Sequence, residues 1–369
     1  MKKLFLFLLS LLLVNCSNAP VSTPKRPQDP TSYPYRQEDV TFTNPKAGNS
    51  LTGTLTIPSK GKISKIVVLI TGTGPQDRNY ASKGLNHRPF LVWSDWLTRN
   101  GIAVLRYDDR GVGKSTGVFD TGTTADFADD AEAAVNYIHS RKDLKGLSIG
   151  LMGHSEGGMI APIVASRVKL VSFICLLAAP GVPAHELMVQ QAKDQMRLNG
   201  ASAEDRELTV AGMRKIYRTI HDNAGLRHSE LKLKLDTLLY RETRNVPLRL
   251  LQGRSVDEVV KLTSARYLSP WFKYFILFQP ADYLSKVKCP AFALNGTLDI
   301  QVESTTNLAA IKNALQKAGN NNHQEMALPG LNHAFQKAKT GAVSEYPQIS
   351  ETINPIALKT VSTWISQLN

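Results

Sequence analysis

The sequence of 369 residues contains only three cysteines, Cys16, Cys175 and Cys289. So few cysteines exclude a disulfide framework, and no group of histidines and cysteines has the spacing of a zinc site. Cys175 and Cys289 lie in or beside apolar runs that we expect to form buried strands, so we expect both to be free thiols. The sequence predicts neither a bound metal nor a cofactor.

Long apolar runs are also scarce, and the run at the start, residues 4–14, is too short to cross a bilayer as a helix. It follows the basic Met1-Lys2-Lys3 and ends in Leu-Val-Asn before Cys16, which predicts a secretory signal over residues 1–15. That ending resembles a bacterial lipobox, which implies a lipid on Cys16; a plain secretion signal cut nearby is the alternative. We therefore expect a lipid-anchored protein of the bacterial cell envelope that faces the periplasm.

Charge of one sign is in excess but is not clustered. The formal net charge is +13, the basic residues are scattered along the chain, and no nucleic-acid-binding motif accompanies them. A basic surface could meet anionic lipid or envelope polysaccharide, but we interpret it as a solvated surface. We expect no nucleic-acid partner.

The most informative motif is Gly153-His154-Ser155-Glu156-Gly157-Gly158. An apolar run that ends at Met152 precedes it, and a helical pattern of small residues follows it over residues 159–166. The glycines two positions before and after Ser155 fit the GxSxG elbow, a strand-to-helix turn too sharp for larger side chains. Ser155 is therefore the candidate nucleophile, and a glycine-rich turn without chemistry is the alternative.

A serine hydroxyl needs a general base and an acid that orients the base, and this architecture places both downstream, the acid before the histidine. Asp299, which follows the apolar pattern of residues 289–296, is the candidate acid, and Glu303 is the second choice. Of the eight histidines, only His333 combines this order with a loop after the last predicted strand, residues 323–328. His333 is therefore the candidate base.

Acyl transfer also requires N–H donors for the developing oxyanion. The backbone N–H of Glu156, immediately after the nucleophile, is one candidate. The second is the N–H of Thr73, because the apolar pattern of residues 66–70 runs into Thr71-Gly72-Thr73-Gly74-Pro75, whose glycines let the backbone turn toward the site. A plain turn at the end of a strand is the alternative for this segment.

Five segments, met in this order, resemble the bacterial α/β-hydrolases of the serine carboxylesterase type and their dienelactone-hydrolase-like and serine-aminopeptidase-like relatives. The matching segments are residues 71–78, 107–115, 153–158, 294–299 and 328–333. Many members have histidine where this chain has Thr71, but the contribution implied there is a backbone N–H. The resemblance implies an α/β fold whose central sheet is mostly parallel and flanked by helices. It also implies that Asp109 and Arg110 form a structural ion pair or hydrogen-bond network near the site.

A phosphate-binding P-loop is excluded although Gly113-Lys114-Ser115 imitates its end. The motif needs a glycine at the position where this chain has Asp108.

The rhythm of strand and helix patterns predicts the domain organisation. Residues 37–180 and 289–369 alternate between the two patterns and predict the α/β-hydrolase core, with a hairpin at its start and a helix after Pro355 at its end. Residues 181–288 lose that rhythm and show charged helical segments, which predicts a helical cap inserted after the sixth strand. Residues 16–36, rich in Pro, Ser, Thr and Asn without an apolar period, predict a disordered tether.

The predicted cap ends in an unusually aromatic stretch. Trp271, Phe272 and Phe275 are candidates to line an acyl pocket, and packing of the cap on the core is an equal alternative. The combined expectation is a serine carboxylic ester hydrolase that acts through an acyl-enzyme on small, short-chain acyl esters. The alternatives are a thioesterase or serine peptidase, or a non-catalytic envelope binding protein on the same scaffold. The oligomeric state stays open.

Overall fold

Eight strands form one sheet in the part of the chain that the computed structural model describes, residues 26–81, 87–244, 251 and 253–368. The strands are β1 (Arg36–Asn44), β2 (Asn49–Ile57), β3 (Lys65–Ile70), β4 (Ala103–Tyr107), β5 (Ser148–His154), β6 (Val171–Leu177), β7 (Ala291–Gly296) and β8 (His323–Leu328). Their order across the sheet is β1-β2-β4-β3-β5-β6-β7-β8. The pairs β1–β2 and β2–β4 are antiparallel, and every later pair is parallel. The mostly parallel sheet expected from the sequence is confirmed.

Helices follow most of the parallel strands. They are α1 (Pro89–Arg99), α2 (Thr124–Ser140), α3 (Gly157–Ala165), α4 (Ala184–Leu198), α5 (Ala203–Asp222), α6 (His228–Thr243), α7 (Val256–Tyr267), α8 (Pro270–Leu277), α9 (Ala281–Leu284), α10 (Ser304–Lys317) and α11 (Pro355–Gln367). Within the described ranges, none of these helices has the length and apolarity needed to cross a membrane.

The helices cover both faces of the sheet, as the buried runs of the parallel strands require. Val67 and Leu69 of β3 lie in one apolar cluster with side chains of α1 and α11. Ile66 and Val68, which alternate with them and are equally buried, point to the other face. On that face α2 and α3 pack against each other and against β3.

Local signals fix two of these helices. The side chain of Thr123 accepts from the backbone N–H of Asp126, whose carboxylate accepts from the N–H of Thr123, so a capping box begins α2. Asn354 caps α11 through the N–H of Ile356, and Pro355 occupies its first turn, as predicted.

A separate helical unit, residues 183–278, lies in the chain between β6 and β7 and contains α4 to α8. Neighbouring helices of this unit pack through a core of its own, which includes Met213, Ile220, Leu235 and Val259. The predicted boundary of 288 is corrected: residues 279–288 belong with the sheet. Buried apolar residues in that stretch, Leu284 and Val287, give it a place in the core of the sheet unit.

The described part of the predicted tether, residues 26–36, is held against the sheet unit. The carboxamide oxygen of Gln28 accepts from the N–H groups of Thr352 and Ile353. Asp29 forms an ion pair of 2.6 Å with Arg88. Polar contacts with residues far along the chain hold this segment. Such contacts leave no apolar period in the sequence, so the segment was predicted to be disordered. The predicted signal sequence and Cys16 lie outside the described residues.

Candidate active site

Ser155 occupies the turn between β5 and α3, which we call the elbow (residues 153–157), in a left-handed conformation with φ of +55°. Such a conformation is strained for a serine and persists only where the surroundings enforce it. A Cβ built at Gly157 would lie 2.2 Å from the carbonyl oxygen of Ile70. One built at Gly153 would lie 2.0 Å from the carbonyl oxygen of Gly157. The elbow therefore requires glycine at both positions.

Asp299 and His333 lie in the loops after β7 and β8, two adjacent parallel strands whose ends meet at one edge of the sheet. Asp299 Oδ2 is 2.8 Å from His333 Nδ1, and the aspartate side chain is fully buried. Its other oxygen accepts from the N–H groups of Gln301 and Val302, each at 2.8 Å. With Nδ1 donating to the carboxylate, the neutral ring has its unprotonated nitrogen at Nε2.

Glu303, the second choice for the acid, has another role. Its carboxylate accepts from the N–H groups of Thr305 and Thr306 at 2.7 and 2.8 Å and caps α10. A capping carboxylate is stabilised by the helix dipole. Glu303 thus caps the N-terminus of α10, while Asp299 contacts the histidine.

A direct hydrogen bond joins the elbow to the loop of residues 329–335, which we call the histidine loop. His154 Nε2 is 2.8 Å from the backbone carbonyl oxygen of His333. Sequence reasoning gave His154 no role. The only signal that could have found it is its position immediately before Ser155.

The loop after β3, residues 71–76, lies beside the elbow because β3 and β5 are paired. We call it the β3 loop. A Cβ built at Gly72 would lie 3.1 Å from Ser155 Cβ, and Thr73 is the next residue. The N–H of Glu156 follows Ser155 directly at the start of α3. Both candidate oxyanion donors are therefore close to the nucleophile in the chain: Glu156 follows Ser155, and Thr73 follows Gly72, which contacts Ser155.

Asp109 supports the β3 loop from the end of β4. One carboxylate oxygen accepts from Thr71 Oγ1 at 2.8 Å, and the other accepts from the N–H of Gln76 at 2.9 Å. Removal of the Asp109 carboxyl from water raises its pKa to about 8. Asp109, at the end of β4, thus binds both the first and the last residue of the β3 loop.

Asp109 and Arg110 both take part in hydrogen bonds or ion pairs, as expected, but their partners are not each other. Arg110 Nε is 2.6 Å from Asp130 Oδ2, and both side chains are buried. Asp108, the residue that excludes a P-loop, pairs instead with Arg78 at 2.8 Å. Asp108, Asp109 and Arg110 thus contact different groups, because the side chains of successive residues point in different directions at the end of β4.

The three candidate pocket aromatics lie on α8 of the helical unit. Phe272 is buried and packs on Tyr217 and Tyr267, with ring centroids 6.1 and 4.8 Å away. Trp271, which is partly exposed, stacks on Phe275 at 4.9 Å. Phe272 is therefore a core residue of this unit, and Trp271 has the most surface of the three.

Comparison with known proteins supports this reading of the fold. Residues 90–233 match the family described as serine aminopeptidase, S33. Esterase EstD of Thermotoga maritima is 31% identical over 182 residues, which are 49% of this chain and 41% of EstD. The uncharacterised protein YfhR of Escherichia coli K12 is 30% identical over 125 residues, which are 34% of this chain and 40% of YfhR. The chain thus spans about two fifths of the length of these curated relatives.

Solved structures share the architecture over most of the chain. An esterase of Pyrococcus furiosus has a TM-score of 0.51 at 16% identity, covering 90% of this chain and 91% of its own. A hypothetical protein of Pseudomonas aeruginosa has a TM-score of 0.53 at 14% identity, covering 92% and 96%. Identity this low shows the fold alone. The chain therefore has the α/β-hydrolase fold.

Proposed function

We propose that the protein is a serine hydrolase that cleaves carboxylic esters through an acyl-enzyme. The observation that carries the proposal is the buried Asp299–His333 pair, hydrogen-bonded at 2.8 Å and joined through His154 to the strained turn at Ser155. The names of two similar proteins, EstD and the Pyrococcus furiosus esterase, agree with ester hydrolysis. These names are the reason for proposing an ester, and not an amide or a thioester, as the bond that is cleaved.

Each residue has one task in this mechanism. His333 Nε2 takes the proton of Ser155 Oγ as that oxygen attacks the ester carbonyl carbon. The C–O bond to the alcohol then breaks, His333 returns the proton to the leaving alkoxide, and the acyl group remains on Ser155. A water molecule, deprotonated by His333, then attacks the acyl carbon; the bond to Ser155 Oγ breaks, His333 returns the proton to Oγ, and the acid leaves. Asp299 keeps Nδ1 protonated and stabilises the imidazolium formed in both steps.

The backbone N–H groups of Thr73 and Glu156 are the proposed donors to the tetrahedral oxyanion. Removal of one such donor costs about 2.7–4 kcal/mol of transition-state stabilisation in other enzymes. The start of α3 adds the positive end of a helix dipole beside Glu156. Asp109 holds the β3 loop that presents Thr73.

Steady-state hydrolysis of an acyl ester by wild type and Ser155→Ala tests the proposal. We expect the variant to fold and to lose kcat by about 10⁴ to 10⁶, as for triad residues elsewhere. A variant that kept a tenth of the wild-type rate would exclude Ser155 as the nucleophile. If wild type hydrolyses no ester, thioester or anilide, a non-catalytic binding protein is the better account.

Peptide hydrolysis is the second candidate, because the matching family is described as a serine aminopeptidase. Ester, thioester and aminoacyl-anilide substrates with the same acyl group separate the two. We expect kcat/KM to be greatest for the ester, and a preference for the anilide would replace ester hydrolysis by peptidase activity.

The proposed substrates are small esters with short acyl chains, from acetyl to butyryl. Trp271, the partly exposed member of the three aromatics, is the proposed pocket residue, since large aromatics narrow an acyl pocket. Phe272 and Phe275 share its helix, but both are buried.

We also propose that residues 1–15 are a secretory signal and that Cys16 carries a lipid in the bacterial envelope. The basic start, the short apolar run and the ending before Cys16 support this. Labelling of growing cells with radioactive palmitate should mark wild type and not Cys16→Ser. Equal labelling of both, or labelling of neither, would contradict the anchor.

A further inference from the structure

His154 has both imidazole nitrogens in hydrogen bonds, and these fix its tautomer. Nε2 is 2.8 Å from the carbonyl oxygen of His333, and Nδ1 is 3.2 Å from the hydroxyl of Tyr80. A carbonyl oxygen only accepts, so Nε2 must carry the hydrogen. Nδ1 is then the acceptor, and the Tyr80 hydroxyl donates to it. A single neutral tautomer satisfies both contacts.

The surroundings keep this tautomer neutral. Burial, with the neighbouring His333 ring as a second cause, lowers the pKa of His154 to about 3. The two ring centroids are 4.7 Å apart, so a second positive charge beside an imidazolium at His333 would be repelled. With both nitrogens engaged and no charge, His154 is unsuited to be the base itself. It is suited to hold a neighbour.

Tyr80 extends the contact to the β3 loop. A Cβ built at Gly72 would lie 2.2 Å from the Tyr80 hydroxyl oxygen and 3.1 Å from Ser155 Cβ. Gly72 therefore lies against both that hydroxyl and the nucleophile. The Tyr80 ring packs edge-on against Phe90 at 5.0 Å, and its backbone is held in a left-handed conformation with φ of +56°. This strained residue is fixed from two sides.

We propose that His154 is a positioning residue that sets the distance between the base and the nucleophile. Its bond to the backbone of His333 attaches the histidine loop to the elbow. Its bond to Tyr80 attaches the elbow to a hydroxyl that lies against Gly72 of the β3 loop. His154 thus connects the three segments that carry the proposed base, nucleophile and oxyanion donor. This inference rests on the proposed function.

The side-chain and backbone constraints on His333 are complementary. Asp299 orients the ring through Nδ1, whereas His154 binds the backbone carbonyl of His333 itself. His154 restrains that backbone from the residue next to the nucleophile. A displacement of about 1 Å at reacting groups can lower a rate about 100-fold.

Two substitutions at His154 separate positioning from packing. His154→Leu keeps the approximate size and removes both hydrogen bonds. His154→Gln has an amide N–H that can reach the His333 carbonyl and an oxygen beside it. His139→Leu, at an exposed histidine of α2, is the matched control for the substitution itself. Each protein is treated with a fluorophosphonate, and both the labelling rate constant and the final stoichiometry are measured, along with kcat and KM for an acetyl ester.

We expect His154→Leu to be labelled to the same final stoichiometry as wild type, with the rate constant and kcat about 100-fold lower and KM little changed. His154→Gln should recover to within about tenfold of wild type, and His139→Leu should equal it. A lower stoichiometry with an unchanged rate constant would overturn the proposal, because the loss would then reflect unfolded molecules. Equal rates for Leu and wild type, or for Gln and Leu, would overturn it as well. If wild type is neither labelled nor active, the proposed function fails first.

Discussion

The elbow and the histidine loop both bring a catalytic candidate to the same edge of the sheet, but they are built by different means. The elbow is fixed by close backbone contacts: a Cβ at Gly153 would meet the carbonyl of Gly157, one at Gly157 would meet that of Ile70 on β3, and Ser155 is held at positive φ. The histidine loop is held by groups far along the chain, such as Asp299 and His154. The first is local and visible in a motif, and the second depends on the completed fold.

Further hydrogen bonds hold the histidine loop from within and from a distant part of the chain. The side-chain oxygen of Asn332 accepts from the N–H groups of Ala334 and Gln336. Phe335 is buried at a φ of +58°, and its carbonyl oxygen accepts from the N–H of Asn354. A loop built in this way should respond to single side-chain changes in activity more than in folding.

After the loss expected for Ser155→Ala, the largest expected effect is that of Asp299→Asn on kcat. The asparagine can still accept from Gln301 and Val302, but its amide would face His333 Nδ1 and favour the wrong tautomer. We expect kcat to fall by about 10⁴ with folding retained, as for the equivalent change in another triad. Steady-state kinetics measures the loss.

Glu303→Gln is the control for that variant, since Glu303 caps α10. Its kcat should stay within about twofold of wild type. If the two variants lost activity equally, the acid would not be assigned to Asp299.

Gly157→Ala tests the elbow by its effect on stability. The added Cβ meets the carbonyl oxygen of Ile70 at 2.2 Å, and backbone cannot move aside cheaply. We expect a loss of about 1–3 kcal/mol in the free energy of unfolding. A urea titration followed by tryptophan fluorescence gives the value.

Gly212→Ala is the opposite control. Gly212 lies inside α5, and a Cβ there meets no atom within 4 Å. Alanine is favoured over glycine in a helix by about 1 kcal/mol, so this variant should be more stable than wild type. Equal changes in both variants would show that the elbow tolerates a side chain.

The elbow and the histidine loop also differ in how much of their structure could be predicted from the sequence. The strand–turn–helix pattern around Ser155 and the helix after Pro355 are local patterns, and the structure has them where they were expected. The contacts of His154 and Asp109 were missed because their partners are distant in sequence. The predicted tether extended to residue 36 because the segment has no apolar period. The polar contacts that hold Gln28 and Asp29 leave no such pattern in the sequence.

Asp109→Asn should alter how stability depends on pH. The folded state keeps a proton on Asp109 up to about pH 8, whereas the unfolded chain releases it near its ordinary value of 3.8. The unfolded state therefore gains over the folded state as pH rises from about 4 to 8. Asparagine cannot ionise, so the Tm of the variant relative to wild type should rise by several degrees over that range.

Asp143→Asn shows the contrasting behaviour in the same series. The neighbouring Arg141 lowers the pKa of Asp143 to about 2, so its stabilising contribution is lost only as pH falls below about 4. Its Tm difference from wild type should be flat between pH 4 and 8. A flat difference for Asp109→Asn as well would contradict the raised pKa.

The smallest expected effect concerns chain-length preference. Trp271→Ala should raise the ratio of hexanoyl to acetyl kcat/KM, because each added methylene that finds apolar contact contributes about 0.8 kcal/mol, or about fourfold. Tyr240→Ala, at an exposed aromatic of the same helical unit, is the control. An unchanged ratio in both variants would assign Trp271 to packing alone.

The most direct test of the central claim is to locate the adduct formed by a fluorophosphonate. Wild type and Ser155→Ala are treated with the reagent, digested and analysed by mass spectrometry. The account predicts one modified serine, Ser155, in wild type and no adduct in the variant. Modification at another residue, or equal labelling of both proteins, would contradict it.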